Sequence, residues 1–185
     1  MKIQLATVIS RVFEPALTIA LVFIAGAVHA GLSPIASVSG LAIVLGPTLV
    51  YRFWLKKARG IDWDIKHREQ RVGPFLALLG FLAVAILIAW VVEPRLLWMF
   101  GIFFVWTVGF CIITASWTKI SGHTGGNALA GGLMVFWYGW QWWPVLLSVP
   151  IVAWARVVRG DHTIAQVVQG AVYSWGLLIL VQLVK

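Results

Sequence analysis

Apolar residues fill this chain in long unbroken stretches, at roughly 12–31, 35–55, 74–92, 95–117, 124–140, 143–158 and 163–184, with short polar segments between them. Most approach the about 20 residues that carry a helix across the hydrocarbon of a bilayer. The apolar positions are continuous rather than alternating every second residue, which sets aside a closed strand barrel. The fifth and sixth stretches are short and meet at Trp137-Tyr138-Gly139-Trp140-Gln141-Trp142-Trp143-Pro144, an aromatic cluster of the kind that sits at headgroup depth. A tight helical hairpin turning at the interface is expected there, with one broken re-entrant element as the alternative. Pro94 and Pro144 are expected at segment starts, where a missing backbone donor costs least. The pattern predicts an all-α integral membrane protein, a bundle of about six to seven transmembrane helices forming a single membrane domain over 1–185.

Composition agrees with that solvent. Hydrophobic residues make up 61% of the chain and charged residues 11%, and the mean hydropathy of +0.94 lies outside the range of soluble domains. Cys111 is the single cysteine and lies inside an apolar run, so it reads as a small apolar filler and no disulfide forms within the chain. The first stretch carries Arg11 and Glu14-Pro15 and lacks a persuasive cleavage site, so it reads as a retained helix rather than a signal peptide. If successive segments cross in alternation, one side collects Lys2, Arg11, Arg52, Lys56, Lys57, Arg59, Lys66, Arg68, Arg71, Lys119, Arg156 and Arg159, and the other only Arg95 and Lys185. The positive-inside rule places the richer side in the cytoplasm. The same bias accounts for the net charge of +8 without nucleic acid, and a basic membrane face also attracts anionic headgroups. The expected location is a bacterial inner membrane, with the polar site facing the cytoplasm.

Three segments on that side hold nearly all the reactive side chains: residues 62–71, residues 119–126 and residues 156–162. Such a set suits an anion. Arg71 and Arg156 offer planar forks for phosphate oxygens, and Lys119 adds a point charge. Ser121-Gly122-His123 leads into Thr124-Gly125-Gly126 and opens a helix, so its backbone donors and hydroxyl can cradle the same oxygens. Two histidines divide the remaining work: one attacks phosphorus as a neutral imidazole and the other, protonated, donates to the leaving alkoxide. A phosphohistidine follows, to be hydrolysed by water. No metal and no cofactor is required, and no acidic cluster beyond Asp62 and Asp64 offers itself to magnesium. Lys66 and Arg68 are further candidates for a diphosphate, with a solvated basic loop as the plainer reading. His29, near the end of the first segment beside small residues, reads as having no function, and His67 as an exposed loop residue.

The order Arg71, then Ser121-Gly122-His123, then Arg156 with His162 after five intervening residues, resembles the three-part signature of the type 2 phosphatidic acid phosphatase superfamily. These are membrane lipid phosphatases that share their fold with vanadium haloperoxidases. The signature reads Lys, six residues, Arg-Pro; then Pro-Ser-Gly-His; then Ser-Arg, five residues, His, three residues, Asp. The resemblance spans roughly 60–184 and leaves the first two segments uncovered. It implies that Arg71, Ser121, Gly122 and Arg156 bind phosphate, that His123 is the general acid and that His162 is the nucleophile. Asp64 stands where the signature has Lys, Val72 follows Arg71 with Pro74 two residues on, Ile120 precedes Ser121 and Ala155 precedes Arg156. Gln166 stands where an Asp normally supports the nucleophile. An amide accepts a hydrogen bond from imidazole and fixes its tautomer, but adds no negative charge. Asp64 or Asp161 are candidates for that charge, although Asp161 is placed to cap the helix beginning beside it.

A phosphate site at headgroup depth, opening sideways between helices, takes an amphiphile whose tail stays in lipid. Phosphatidate, phosphatidylglycerol phosphate and prenyl diphosphates all qualify. The alternative is a catalytically inactive relative that binds lipid phosphate or serves as a partner subunit. Transport ranks last, because the mid-span positions are almost wholly apolar, with Thr107, Thr114 and Asn127 as modest exceptions.

Overall fold

The computed structural model describes residues 1–60, 65, 67 and 69–183. They form helices and connecting turns. The helices are α1 (Lys2–Val12), α2 (Pro15–His29), α3 (Pro34–Arg59), α4 (Glu69–Val92), α5 (Leu97–Ser116), α6 (Gly122–Tyr138), α7 (Ser148–Val158) and α8 (Ile164–Leu183), with 3₁₀ helices at Pro94–Leu96 and Trp140–Leu147. Among the described residues six helical stretches are long and apolar enough to cross a membrane: Lys2–His29, Pro34–Arg59, Glu69–Val92, Pro94–Ser116, Trp140–Val158 and Ile164–Leu183. The protein is a helical membrane bundle. Large apolar side chains such as Leu21, Val50, Val91, Ile112 and Leu180 are exposed. In a bilayer such a surface meets acyl chains, against which exposure carries no hydrophobic penalty.

The first apolar stretch differs from its expected bounds. Helix begins at Lys2 and is interrupted at Phe13-Glu14, because Pro15 has no backbone N–H to continue the ladder and starts a new helix instead. The short fifth and sixth stretches do form a hairpin. It turns at Gly139, whose φ of 90° is left-handed backbone that favours glycine. Pro144 is not at the start of the next element as expected, but lies inside the 3₁₀ helix. Pro94 does open its 3₁₀ turn.

The chain divides into two compact units, residues 1–26 with 119–185 and residues 27–118. In the second, α4 packs against α3 and α5, and Phe100, Phe103, Trp106 and Phe110 are buried along α5. Ser33 caps α3 by accepting from Ala36 N–H. Arg95 pairs with Glu93 and donates to Gly31 O at 3.1 Å, joining two connecting turns. The side-chain hydrogen bond from Arg95 holds the Glu93 carboxyl below its ordinary value.

In the first unit α6 packs against α7 and α8, and α1 lies against α7. Close approach explains the small residues. A Cβ on Gly170 of α8 would stand 2.6 Å from Ser121 O and 3.3 Å from Gly125 N, both rigid backbone, so only glycine lets α8 meet the start of α6. Tyr138 Oη donates to Ala25 O at 2.7 Å and Trp175 Nε1 to Ala128 O at 3.1 Å, which fixes α2 and α8 on α6.

Candidate functional site

Within the first unit the start of α6, the end of α7 and the start of α8 come together. Ser121 is fully buried and caps α6: its Oγ accepts from Thr124 N–H at 3.3 Å and lies 3.1 Å from Thr124 Oγ1. Its own N–H donates to Gln166 O at 3.1 Å, tying the first turn of α6 to the first turn of α8. Gly122 and His123 occupy that turn, whose amides have no partner inside the helix and give it a positive end.

Arg156, at the end of α7, is 1% exposed. The chain then reverses through Gly160, with φ of 73°, and Asp161 N–H returns to Arg156 O at 3.1 Å. That reversal sets the Asp161 carboxylate against two cations, 3.3 Å from Arg156 Nη2 and 2.9 Å from Arg159 Nε. Lys119 Nζ donates to Asp161 O at 3.0 Å. A buried guanidinium is tolerable only with such a partner. Asp161 therefore does not cap α8 as its sequence position suggests: its carboxylate is committed to the arginines.

The cap of α8 is Thr163. Its Oγ1 accepts from Gln166 N–H at 3.3 Å while Thr163 N–H donates to Gln166 Oε1 at 3.2 Å, a reciprocal capping box. The same Oε1 lies 3.1 Å from His162 Nδ1, and His162 is 6% exposed. The backbone N–H can only donate, so this amide atom is the oxygen. Nδ1 must then carry hydrogen, and in the neutral ring the lone pair belongs to Nε2.

His123 has a different partner. Its Nε2 lies 3.1 Å from Glu14 Oε2, a carboxylate presented by the break between α1 and α2. The imidazole is 13% exposed and the carboxylate 44%. Asn127, one turn further along α6, donates through Nδ2 to both His123 O at 2.8 Å and Phe13 O at 3.2 Å. Pro15 lies against Gly126, with its Cβ 3.5 Å from where a glycine Cβ would stand. The helix break is thus docked on the first turns of α6.

Of the residues singled out in the sequence, Lys119, Ser121, Gly122, His123, Arg156, His162 and Gln166 share this unit. Arg71 belongs to the other, where its Nε and Nη2 donate to Ile65 O at 2.9 and 2.7 Å. Asp64, Lys66 and Arg68 lie outside the described residues. Among the described residues no cluster of three or more His, Cys, Asp or Glu could hold a metal ion. Sequence reasoning missed Glu14 and Thr163. Thr163-Ile164-Ala165-Gln166 is a legible capping box, and Glu14 is an acid inside an otherwise apolar stretch, which by itself singles it out.

No family model and no solved structure matches the chain. Among curated proteins it is 40% identical over 67 residues to the lipid A 4'-phosphatase of Helicobacter pylori strain J99. The match covers 35% of this chain and 34% of that protein, so the chain spans about a third of the relative's length. That relative is a membrane phosphatase of the superfamily whose signature the motifs resemble. Over those 67 residues the chain is thus similar to a phosphatase of the superfamily that its motifs resemble.

Proposed function

We propose that the protein is a membrane lipid phosphatase that releases phosphate from a lipid headgroup through a phosphohistidine. The observation that carries this reading is the bond between His162 Nδ1 and Gln166 Oε1, an arrangement that in the neutral ring puts the nucleophilic lone pair on Nε2. Nε2 attacks phosphorus while the P–O bond to the lipid breaks, and His123 delivers a proton to the departing oxygen. Water then attacks the phosphohistidine, the P–N bond breaks and phosphate leaves. Arg156, Lys119 and the first-turn amides of α6 supply positive potential for the phosphoryl oxygens. Arg71 is assigned to phosphate from the sequence, by its planar guanidinium and by the resemblance. The name of the relative adds lipid A to phosphatidate, phosphatidylglycerol phosphate and prenyl diphosphate as candidate substrates.

The test is phosphate release by the purified protein in detergent with EDTA, using phosphatidate, a prenyl diphosphate and lipid A side by side. Release is expected from at least one, abolished by His162→Ala and reduced on the order of 10²-fold or more by His123→Ala. Full activity of His162→Ala would overturn the phosphohistidine route. Silence on all three substrates by a folded protein would favour a lipid-phosphate-binding subunit. The specific ground for that second reading is the uncharged Gln166 beside the nucleophile.

A further inference from the structure

His162 leans on a neutral amide, whereas His123 leans on a carboxylate from a part of the chain that the motif resemblance does not reach. The division is chemically ordered. A nucleophilic imidazole must begin neutral, and an amide oxygen fixes its tautomer without favouring a second proton. A general acid must begin protonated, and a carboxylate is the group that stabilises imidazolium.

We propose that Glu14 is the positioning carboxylate of the acid His123. It holds one proton at Nε2 and so leaves Nδ1 as the atom that donates to the lipid oxygen. This rests on the phosphatase reading above and deepens it. Three observations fix the arrangement. Nε2 and Oε2 are within hydrogen-bond distance at 3.1 Å. Pro15 ends α1 and starts α2 at the residue after Glu14, so the carboxylate hangs from a helix break rather than from a continuous helical face. The break is itself held by Asn127, which bonds Phe13 O and His123 O at once and leaves little freedom between them. In the reaction the Nδ1 proton passes to the leaving oxygen as the P–O bond breaks. The imidazole, still protonated at Nε2, then takes a proton back at Nδ1 from the water that attacks the phosphohistidine. Glu14 is unchanged across the cycle and balances the imidazolium at its start and end.

The experiment compares wild type, Glu14→Gln, His123→Ala and His162→Ala on two substrates, phosphatidate and the phosphate of an alkyl-substituted nitrophenol, whose leaving group needs no proton. Glu14→Gln keeps an acceptor for Nε2 and removes only the charge. On phosphatidate its kcat should fall on the order of tenfold to a hundredfold with KM little changed. On the aryl phosphate the first-turnover burst of nitrophenolate, whose departure needs no proton, should stay within about threefold of wild type for Glu14→Gln and His123→Ala, while His162→Ala gives no burst. An unchanged kcat for Glu14→Gln on phosphatidate, or equal loss on both substrates in a protein that remains monodisperse, would overturn the role of Glu14 while the phosphatase reading stands. A His162→Ala protein as active as wild type, or a wild type silent on both, would overturn the phosphatase reading and this proposal with it.

Discussion

Gln166 carries two duties with one oxygen. Its Oε1 accepts from Thr163 N–H to cap α8 and from His162 Nδ1 to set the tautomer, while Gln166 N–H is received by the Thr163 hydroxyl. The two duties separate by mutation. Thr163→Ala removes only the cap, so it should lower stability by about 1 kcal/mol and leave kcat within about twofold. Gln166→Ala leaves the Thr163 hydroxyl on the 166 N–H but removes the acceptor of Thr163 N–H and of Nδ1 together, so it should cost similar stability but lower kcat by about tenfold or more. Thermal unfolding in detergent beside phosphate release reads both. A Gln166→Ala protein that loses stability and keeps its turnover would reduce Gln166 to a capping residue. Asp161 shows the opposite case, in which a residue placed like a cap is drawn away because a buried guanidinium needs its charge more.

Helix ends, rather than helix faces, build the site. The start of α6, the end of α7 and the start of α8 each contribute one turn, and the separation between α6 and α8 is set where Gly170 meets Ser121 O and Gly125 N. Gly170→Ala should therefore push the helix starts apart, with a stability loss of about 1–3 kcal/mol and a larger proportional loss of activity. Gly176→Ala, on the same helix with open space at its Cβ, is the control and should change little. Equal behaviour of the two variants would remove the argument for close approach. Capping explains why the reactive residues are readable as short motifs: a cap, a reversal and a first turn each occupy only a few consecutive residues. The partner of His123 is not readable that way, since Glu14 lies 109 residues from it along the chain.

Across the whole molecule, the distribution of cations predicts sidedness. In a Cys111→Ala background, Lys57→Cys should react with a membrane-impermeant thiol reagent only from the cytoplasmic face and Arg95→Cys only from the opposite one. Labelling of both from one side would overturn the predicted orientation. The sequence by itself determined the solvent, the helical class and the approximate number of crossings, because the cost of an unsatisfied backbone in lipid leaves long apolar runs few other structures. It also marked His123, Arg156, His162 and Gln166, whose spacings are local to single helix ends. Only the tertiary structure decided who partners whom: that Asp161 serves Arg156 and Arg159, that Gln166 joins a cap to His162, and that Glu14 from the first helix break reaches His123. Those pairings are set by the cost of burying charge and by the close approach of helices, and both depend on what lies adjacent in space rather than in sequence.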